Sequence, residues 1–548
     1  MKKLLVVLLA LLLALSAVTA LAEEEPLPEL THTTVMFRQG IVRYIEGDSL
    51  YDNCYINAYR DELNIDLEYV IHATGDEYTQ KLTMAIASNS LPDIMYLPIK
   101  EYTQLANAGK LWEMDDIIEQ YANEITLKNF ASDGGAMLDA AKIDGKLYGI
   151  PVGSFRNCPS NFLWIRQDWL DNVGLKAPES FEDVVEIARA FATQDPDKNG
   201  ENDTIGLALN NVMAQNSSFG AAEGVLNAFG GSLIYQAWVP DENGELYYVP
   251  TSEGTRKGLE ALASMFAEGL INTEFGVSDD DTVGELIASG KCGMFYGTEG
   301  MSWSYGRDSM VNCEGADWIC VNAPKAGGGI ASPICYKNFS YVYAVNKDFD
   351  HPEALLKLIN FFNNKINNPD ATEELLAEWG VDPETGINKC AYAFGIVDPY
   401  GDKSIGYNAT IRQALAGELD PSELMPEAYR YYMPIKRYID EGYAENGGYN
   451  PDDLTAWQYY MIHSFEGSWT RYAELADNGL IIMSAYYNDP TDTMVKKWST
   501  LQALQEEVFT KIISGSETIE AFDSFVEQWK SLGGDTITAE VNERFGNK

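Results

Sequence analysis

Histidine and cysteine are both scarce in this chain. The four histidines, His32, His72, His351 and His463, nowhere fall at the short spacing that a zinc site uses. None of the seven cysteines forms a CxxC, and the closest pair, Cys313 and Cys320, has six residues between its members. An odd count leaves at least one thiol free, so most read as small buried apolar residues, with room for one disulfide in an exported chain. Positive charge is also short, with 38 Lys and Arg against 83 Asp and Glu and a formal net charge of −45. Nucleic acid would be repelled over most of such a surface. A polyanionic ligand is disfavoured less, because a pocket can be locally basic. Beyond the first residues no apolar run reaches the ~20 residues that span a bilayer. No Gly-x-Ser-x-Gly elbow, P-loop, HExxH or dinucleotide fingerprint stands where its supporting elements would be.

What is present begins with a leader. Lys2 and Lys3 precede an unbroken apolar run from Leu4 to Leu15, and Ala20-Leu21-Ala22 offers small residues where a signal peptidase reads. Residues 1–22 are the expected signal peptide, with cleavage before Glu23. The first cysteine is Cys54, so no cysteine stands at the cleavage point to carry lipid. The mature chain is expected outside the cytoplasm, extracellular, at the cell surface or periplasmic. Its length suits at least two domains with proper cores.

The stretch Asp195-Pro-Asp-Lys-Asn-Gly-Glu-Asn-Asp203 carries the sharpest motif. Asp195, Asp197 and Asn199 alternate, Gly200 takes the sixth position and Asp203 the ninth, while Glu201 stands where such loops offer a backbone carbonyl. Ca²⁺ takes six to eight oxygens at ~2.4 Å, and this spacing lets one short loop wrap it. The twelfth position, where an EF-hand has its bidentate glutamate, is Gly206, so the loop is EF-like only. Calcium here is expected to be structural. The competing reading is a solvated acidic turn, since Asp, Asn, Pro and Gly are also ordinary turn formers.

Periodicity predicts alternating strands and helices with short connections, hence mostly parallel sheets covered on both faces. Thr34–Phe37 and Ile94–Leu97 read as strands. Tyr78, Leu82, Ala85 and Ile86 share a helix face that stops before Leu91-Pro92. Ser180 and Asp183 form a capping box, Asp241–Gly244 joins a hairpin, and Trp498, Leu501, Leu504, Val508 and Ile512 make a stripe on a helix near the end.

Several segments, in this order, resemble the extracellular solute-binding proteins of ABC importers, in the large branch with oligosaccharide and alginate binders. They are Ser88-Asn-Ser-Leu-Pro-Asp93 with Ala108-Gly109, Asp144-Gly-Lys-Leu-Tyr-Gly-Ile-Pro151, Leu163-Trp-Ile-Arg-Gln-Asp-Trp-Leu170 and then the acidic loop. Phe266-Ala-Glu-Gly-Leu270, Gly290-Lys-Cys-Gly-Met-Phe295, Ile513-Ser-Gly515, Phe522-Asp523 and Trp529 follow. Relatives from single-membrane bacteria usually keep a lipidated cysteine, which this chain lacks. The resemblance implies a two-lobed periplasmic-binding-protein-like α/β fold of type II, with mixed, mostly parallel sheets and a ligand cleft between the lobes. Residues 33–152 plus 322–380 are expected as the first lobe and 153–321 plus 381–548 as the second. Crossings are expected near Pro151, Ala323-Pro324 and Gly380. It further implies a monomer that closes on a ligand and hands it to the importer's membrane subunits.

Sugars present CH-rich faces and hydroxyl edges, so aromatic platforms with planar polar groups are the residues to seek. The 32 tyrosines and 11 tryptophans make such a site affordable. Trp303, Tyr96, Phe155, Arg156 and Trp238 are the candidates; a lid residue packing on its own lobe is the competing reading for Trp303, a core tyrosine for Tyr96, and a surface ion pair for Arg156. A neutral or weakly charged oligosaccharide is the expected ligand. A secreted, calcium-stabilised polysaccharide hydrolase or lyase is the alternative. It would need two carboxylates ~5–9 Å apart, a pair that 83 acidic residues can always supply and that therefore carries no weight. A peptide ligand is the second alternative.

Overall fold

The computed structural model describes residues 31–546 apart from 39–41, 154–161, 212–218, 337–338, 340, 369, 383–384, 386, 401–402 and 487–489. The expected leader lies outside the described residues. Two large hydrophobic cores organise the rest. Among the described residues no helix is long and apolar enough to cross a membrane.

The first core is built on a five-stranded sheet in the order Ile65–Ala73, Thr31–Arg38, Ile94–Pro98, Tyr341–Val345, Ile150–Val152. Val35, Ile94, Met95, Leu97, Val342 and Val345 are all fully buried, as the centre of a sheet covered on both faces demands. Local chemistry sets the helix ends. The Asn53 side chain accepts from the N–H groups of Tyr55 and Ile56 at the start of helix Cys54–Leu63. Asn89 turns left-handed (φ 53°) after Gly75–Ser88, where the chain breaks ahead of Pro92.

The second core surrounds a three-stranded sheet, Met294–Gly297, Phe162–Arg166, Trp318–Asn322. Helix Phe181–Thr193 starts at the capping box: Ser180 N–H donates to Asp183 Oδ2 at 2.9 Å, and Asp183 N–H to Ser180 Oγ at 3.2 Å. In helix Asp492–Ile513, Leu501 and Ile512 are buried and Trp498, Leu504 and Val508 pack beside them. Helices Lys403–Leu415, Pro426–Asp440 and Leu454–His463 add a smaller cluster around Ile411, Ala428, Tyr432 and Ile435.

Two expectations are corrected. Pairing is mixed and not mostly parallel: the first three strands of the first sheet are parallel, but Tyr341–Val345 runs antiparallel to both neighbours. The three strands of the second sheet are all antiparallel. A chain that leaves a lobe and returns can enter its sheet in either sense, and here it returns reversed. The boundaries also shift. Ala323 and Ala331 pack in the second core and Phe339 in the first, so the return lies past 322. Nor does the first core end at Gly380, since Tyr392, Phe394, Val397 and Tyr400 all belong to it. Gly380 caps helix Glu373–Trp379 and reads as a break. The segment is nevertheless bound back, because Tyr59 Oη donates to the Phe394 carbonyl and Tyr400 Oη to that of Pro151, both at 2.9 Å.

Candidate functional site

The register shows which sheet ends face the crossings. The first crossing leaves at Val152, which pairs with Tyr341, which pairs in turn with Pro98. On the other side Phe162 receives the chain and pairs with Gly297 and Asn322. The helix after Pro98, Ile99–Asn107, presents Ile99, Lys100, Thr103, Gln104 and Asn107 at helical spacing along one face. Across a cavity of about 670 Å³ this face meets Tyr235, Gln236, Tyr486, Asp492, Trp498 and Arg544 of the second lobe. The cavity thus lies between the two cores.

Its second-lobe wall is aromatic. Trp498 sets its ring edge-on to Tyr235 at 6.4 Å and to Tyr248 at 5.6 Å. Tyr235 Oη donates to Glu506 Oε1 at 2.5 Å, and burial together with that carboxylate raises the hydroxyl's pKa. Planar amides come from Gln104, Asn107 and Gln236, and cationic heads from Lys100 and Arg544. Aromatic faces beside planar polar groups form a surface that can hold a flat, hydroxylated ligand.

The residues picked out from sequence fall in different places. Trp303 is 47% exposed, on the loop that follows strand Met294–Gly297 at the crossing end. Its ring stands edge-on to Tyr459 at 5.1 Å, and the loop is pinned by Gln458 Nε2 donating to the Ser302 carbonyl at 3.0 Å. Tyr96 is half-buried near the crossing end of the first sheet, stacked on Tyr341 at 4.7 Å and 7°. Neither lines the 670 Å³ cavity. Trp238 is fully buried, packed on Tyr248 at 5.0 Å and Trp529 at 6.3 Å, and does not line this cavity either. Phe155 and Arg156 lie outside the described residues. Trp164, in strand Phe162–Arg166, is fully buried.

The acidic loop folds on itself. Asp195 accepts from the N–H groups of Asn199 and Gly200, both at 3.1 Å. Asn199 Nδ2 donates to Asp197 at 2.8 Å and to Asp203 at 3.3 Å, and Lys291 Nζ pairs with Asp203. The Glu201 N–H donates to Asn199 Oδ1 at 2.7 Å. Gly200 (φ 84°) and Lys198 (φ 55°) provide the left-handed turns. Burial, with Asp195 and Asp203 nearby, holds the Asp197 carboxyl above its usual range. Lys291 pulls that of Asp203 below. As they stand, no three His, Cys, Asp or Glu side chains among the described residues form a metal-holding group. An amide nitrogen and an ammonium supply the positive partners here. The donor set itself, three carboxylates and an amide oxygen, is of the type a hard cation takes.

Residues 55–368 match the model of the bacterial extracellular solute-binding proteins. The chain belongs to this family. Polygalacturonan/rhamnogalacturonan-binding protein YtcQ of Bacillus subtilis (strain 168) is 26% identical over 497 residues, covering 88% of this chain and 85% of that protein. Lipoprotein LipO of the same organism is 24% identical over 477 residues, 85% of this chain and 84% of its own. An HMO-binding, ABC-transporter-associated solute-binding protein from Bifidobacterium longum infantis shares the fold. Its TM-score is 0.62 at 14% identity, over 94% of this chain and 98% of that one.

This solute-binding protein therefore serves capture for an ABC importer and not catalysis. The lining of its inter-lobe cavity escaped sequence reasoning. The stripe Lys100, Thr103, Gln104 and Asn107 was visible as polar residues on one helix face after a buried strand. Trp498 was marked only as part of an apolar helix stripe, and Tyr486 and Arg544 carried no local mark, because all three reach the cavity only through the chain's last return.

Proposed function

We propose that the chain captures an oligosaccharide in the cavity between its lobes and delivers it to the importer. The observation that carries this reading is the pairing of walls: amide and ammonium groups on helix Ile99–Asn107 oppose Trp498, Tyr235 and Tyr486. Neither wall suffices alone, so a ligand that needs both stabilises the arrangement in which both reach it. The name of YtcQ points the same way and suggests a pectic glycan as the first probe. Trp303 and Tyr96 serve as outlying platforms for a longer chain at the crossing ends. The Asp195–Asp203 loop would hold one structural Ca²⁺ through Asp195, Asp197, Asn199, Asp203 and the Glu201 backbone, with Asn199 turning its oxygen inward and Lys291 giving way. The ion would neutralise the clustered carboxylates. The protein acts as a monomer after export through its leader.

A thermal-shift screen of the mature protein against oligogalacturonides, neutral oligosaccharides, monosaccharides and peptides tests the reading. Binding to the native state raises the melting temperature with ligand concentration over Kd. The glycans are expected to give concentration-dependent shifts; shifts with peptides alone would overturn the ligand class.

A further inference from the structure

We propose that Glu223 is a positioning residue for the ligand, its buried carboxylate locking the segment Ser232–Gln236, whose Tyr235 and Gln236 line the inter-lobe cavity. The inference rests on the cavity being the ligand site. Glu223 opens the short helix Glu223–Asn227 and is only 5% exposed. Among the described residues no Lys, Arg or His is recorded in an ion pair with it. A buried carboxylate without a cation is costly unless hydrogen-bond donors satisfy it. Here they do: Oε1 accepts from Ser232 Oγ at 2.5 Å and Asn227 Nδ2 at 3.0 Å, and Oε2 from the Leu233 N–H at 2.8 Å.

The bonds propagate along the segment. Ser232 Oγ accepts from the Ile234 N–H at 3.1 Å, and the Ser232 N–H donates to Thr255 Oγ1 at 3.1 Å. Gln505 Nε2 donates to the Leu233 carbonyl at 2.8 Å. Gly231 fits because a Cβ there would come within 2.4 Å of the Thr255 nitrogen. Past the clamp the chain delivers Tyr235 and Gln236 to the cavity. Ile234 and Ala237 pack with Val239, Val249 and Ile334, with Tyr336 beside them. Ile334 and Tyr336 belong to the stretch by which the chain returns to the first lobe, so the clamped segment joins the cavity lining to that return. Burial also pushes the Glu223 carboxyl up to about 7, against the pull of its donors.

The test compares Glu223→Gln, Ser232→Ala and Ile187→Ala, the last a buried change on helix Phe181–Thr193 of the same lobe, outside the hydrogen bonds of the clamp. Backbone amide exchange and calorimetric titration with tetragalacturonate are the readouts. In Glu223→Gln an amide NH₂ must face one of the donors. The Leu233 and Ile234 amides are expected to exchange at least tenfold faster, with Phe162–Arg166 unchanged, and affinity to fall at least tenfold. Ser232→Ala should move both readouts the same way by less, and Ile187→Ala should lower the melting temperature while leaving affinity intact. Wild-type exchange at Leu233 and Ile234 in Glu223→Gln, or affinity losses that track melting temperature across all three variants, would overturn the proposal. If the wild type does not bind tetragalacturonate, the pectic ligand fails while the exchange arm still decides on the clamp.

Discussion

Trp238 and Trp303 stand in the same lobe, each beside a short strand and a turn, and their surroundings are opposite. Trp238 is sealed between Tyr248 and Trp529, whereas Trp303 leaves 47% of its surface to solvent with one edge contact to Tyr459. The partners decide the outcome. Trp529 arrives from the last helices and Ser484 from the chain's final return, where its Oγ accepts the Trp238 N–H at 3.2 Å. Trp303 sits at the sheet end that faces the crossings, where the later helix Leu454–His463 meets its ring at an edge through Tyr459 and leaves about half of it open. A tryptophan at a turn is thus a ligand candidate only if nothing distant in sequence comes back to bury it.

The comparison breaks first under truncation. Trp238→Ala is expected to cost ~3–5 kcal/mol of stability, the range for large-to-small core changes, and to appear as a lower denaturation midpoint. A loss below ~1 kcal/mol would mean that the wall behind the cavity is loosely packed.

A second probe uses the buried carboxylate behind the same wall. Glu223 has a folded-state pKa of about 7 against an ordinary 4.5, so the native state holds its proton more tightly than the unfolded chain does. Its contribution is fully present below pH 4.5 and is lost as pH rises through about 7, on the order of 3 kcal/mol in all. Denaturant titrations of wild type and Glu223→Gln across that window should therefore differ in slope. Parallel profiles would contradict the burial.

The acidic loop gives the next effect. If it holds Ca²⁺ at ~100 times Kd, the ion contributes ~2.7 kcal/mol, so chelation should lower the melting temperature and Asp197→Ala should abolish the response to calcium. An unchanged melting curve, with no calcium copurifying, would leave the loop a turn held by Asn199 and Lys291. Trp303→Ala closes the series. It should weaken a long oligosaccharide about tenfold, ~1.4 kcal/mol, with stability within ~0.5 kcal/mol of wild type. Equal affinity would return Trp303 to a lid.

Features settled within a few residues were legible in sequence. The Ser180 and Asp183 box, the stop at Asn89, the hairpin around Asp241–Gly244 and the stripe from Trp498 to Ile512 all depend on near neighbours. The two-lobed α/β architecture was read from the resemblance to the extracellular solute-binding proteins. Long returns were not legible. Tyr400 joins the first core through a bond to Pro151, and no local signal distinguishes it from a residue beyond a boundary at Gly380. Glu223 was hidden among 83 acidic residues; the Gly230-Gly231-Ser232 turn was the one nearby sign of a tightly held backbone. The cavity needed both problems solved at once, since its walls come from Ile99–Asn107, from Tyr235 and Gln236, and from the last sixty residues or so.

Calorimetric titration of the glycan that gives the largest thermal shift into wild type, Gln104→Ala and Trp498→Ala tests the central claim most directly, because the two changes lie on opposite walls of the cavity. Capture between the lobes predicts saturable binding by the wild type and weaker binding in both variants, with the larger loss at Trp498. Binding that loses strength in only one variant, or in neither, would place the ligand on a single lobe or elsewhere and contradict the account.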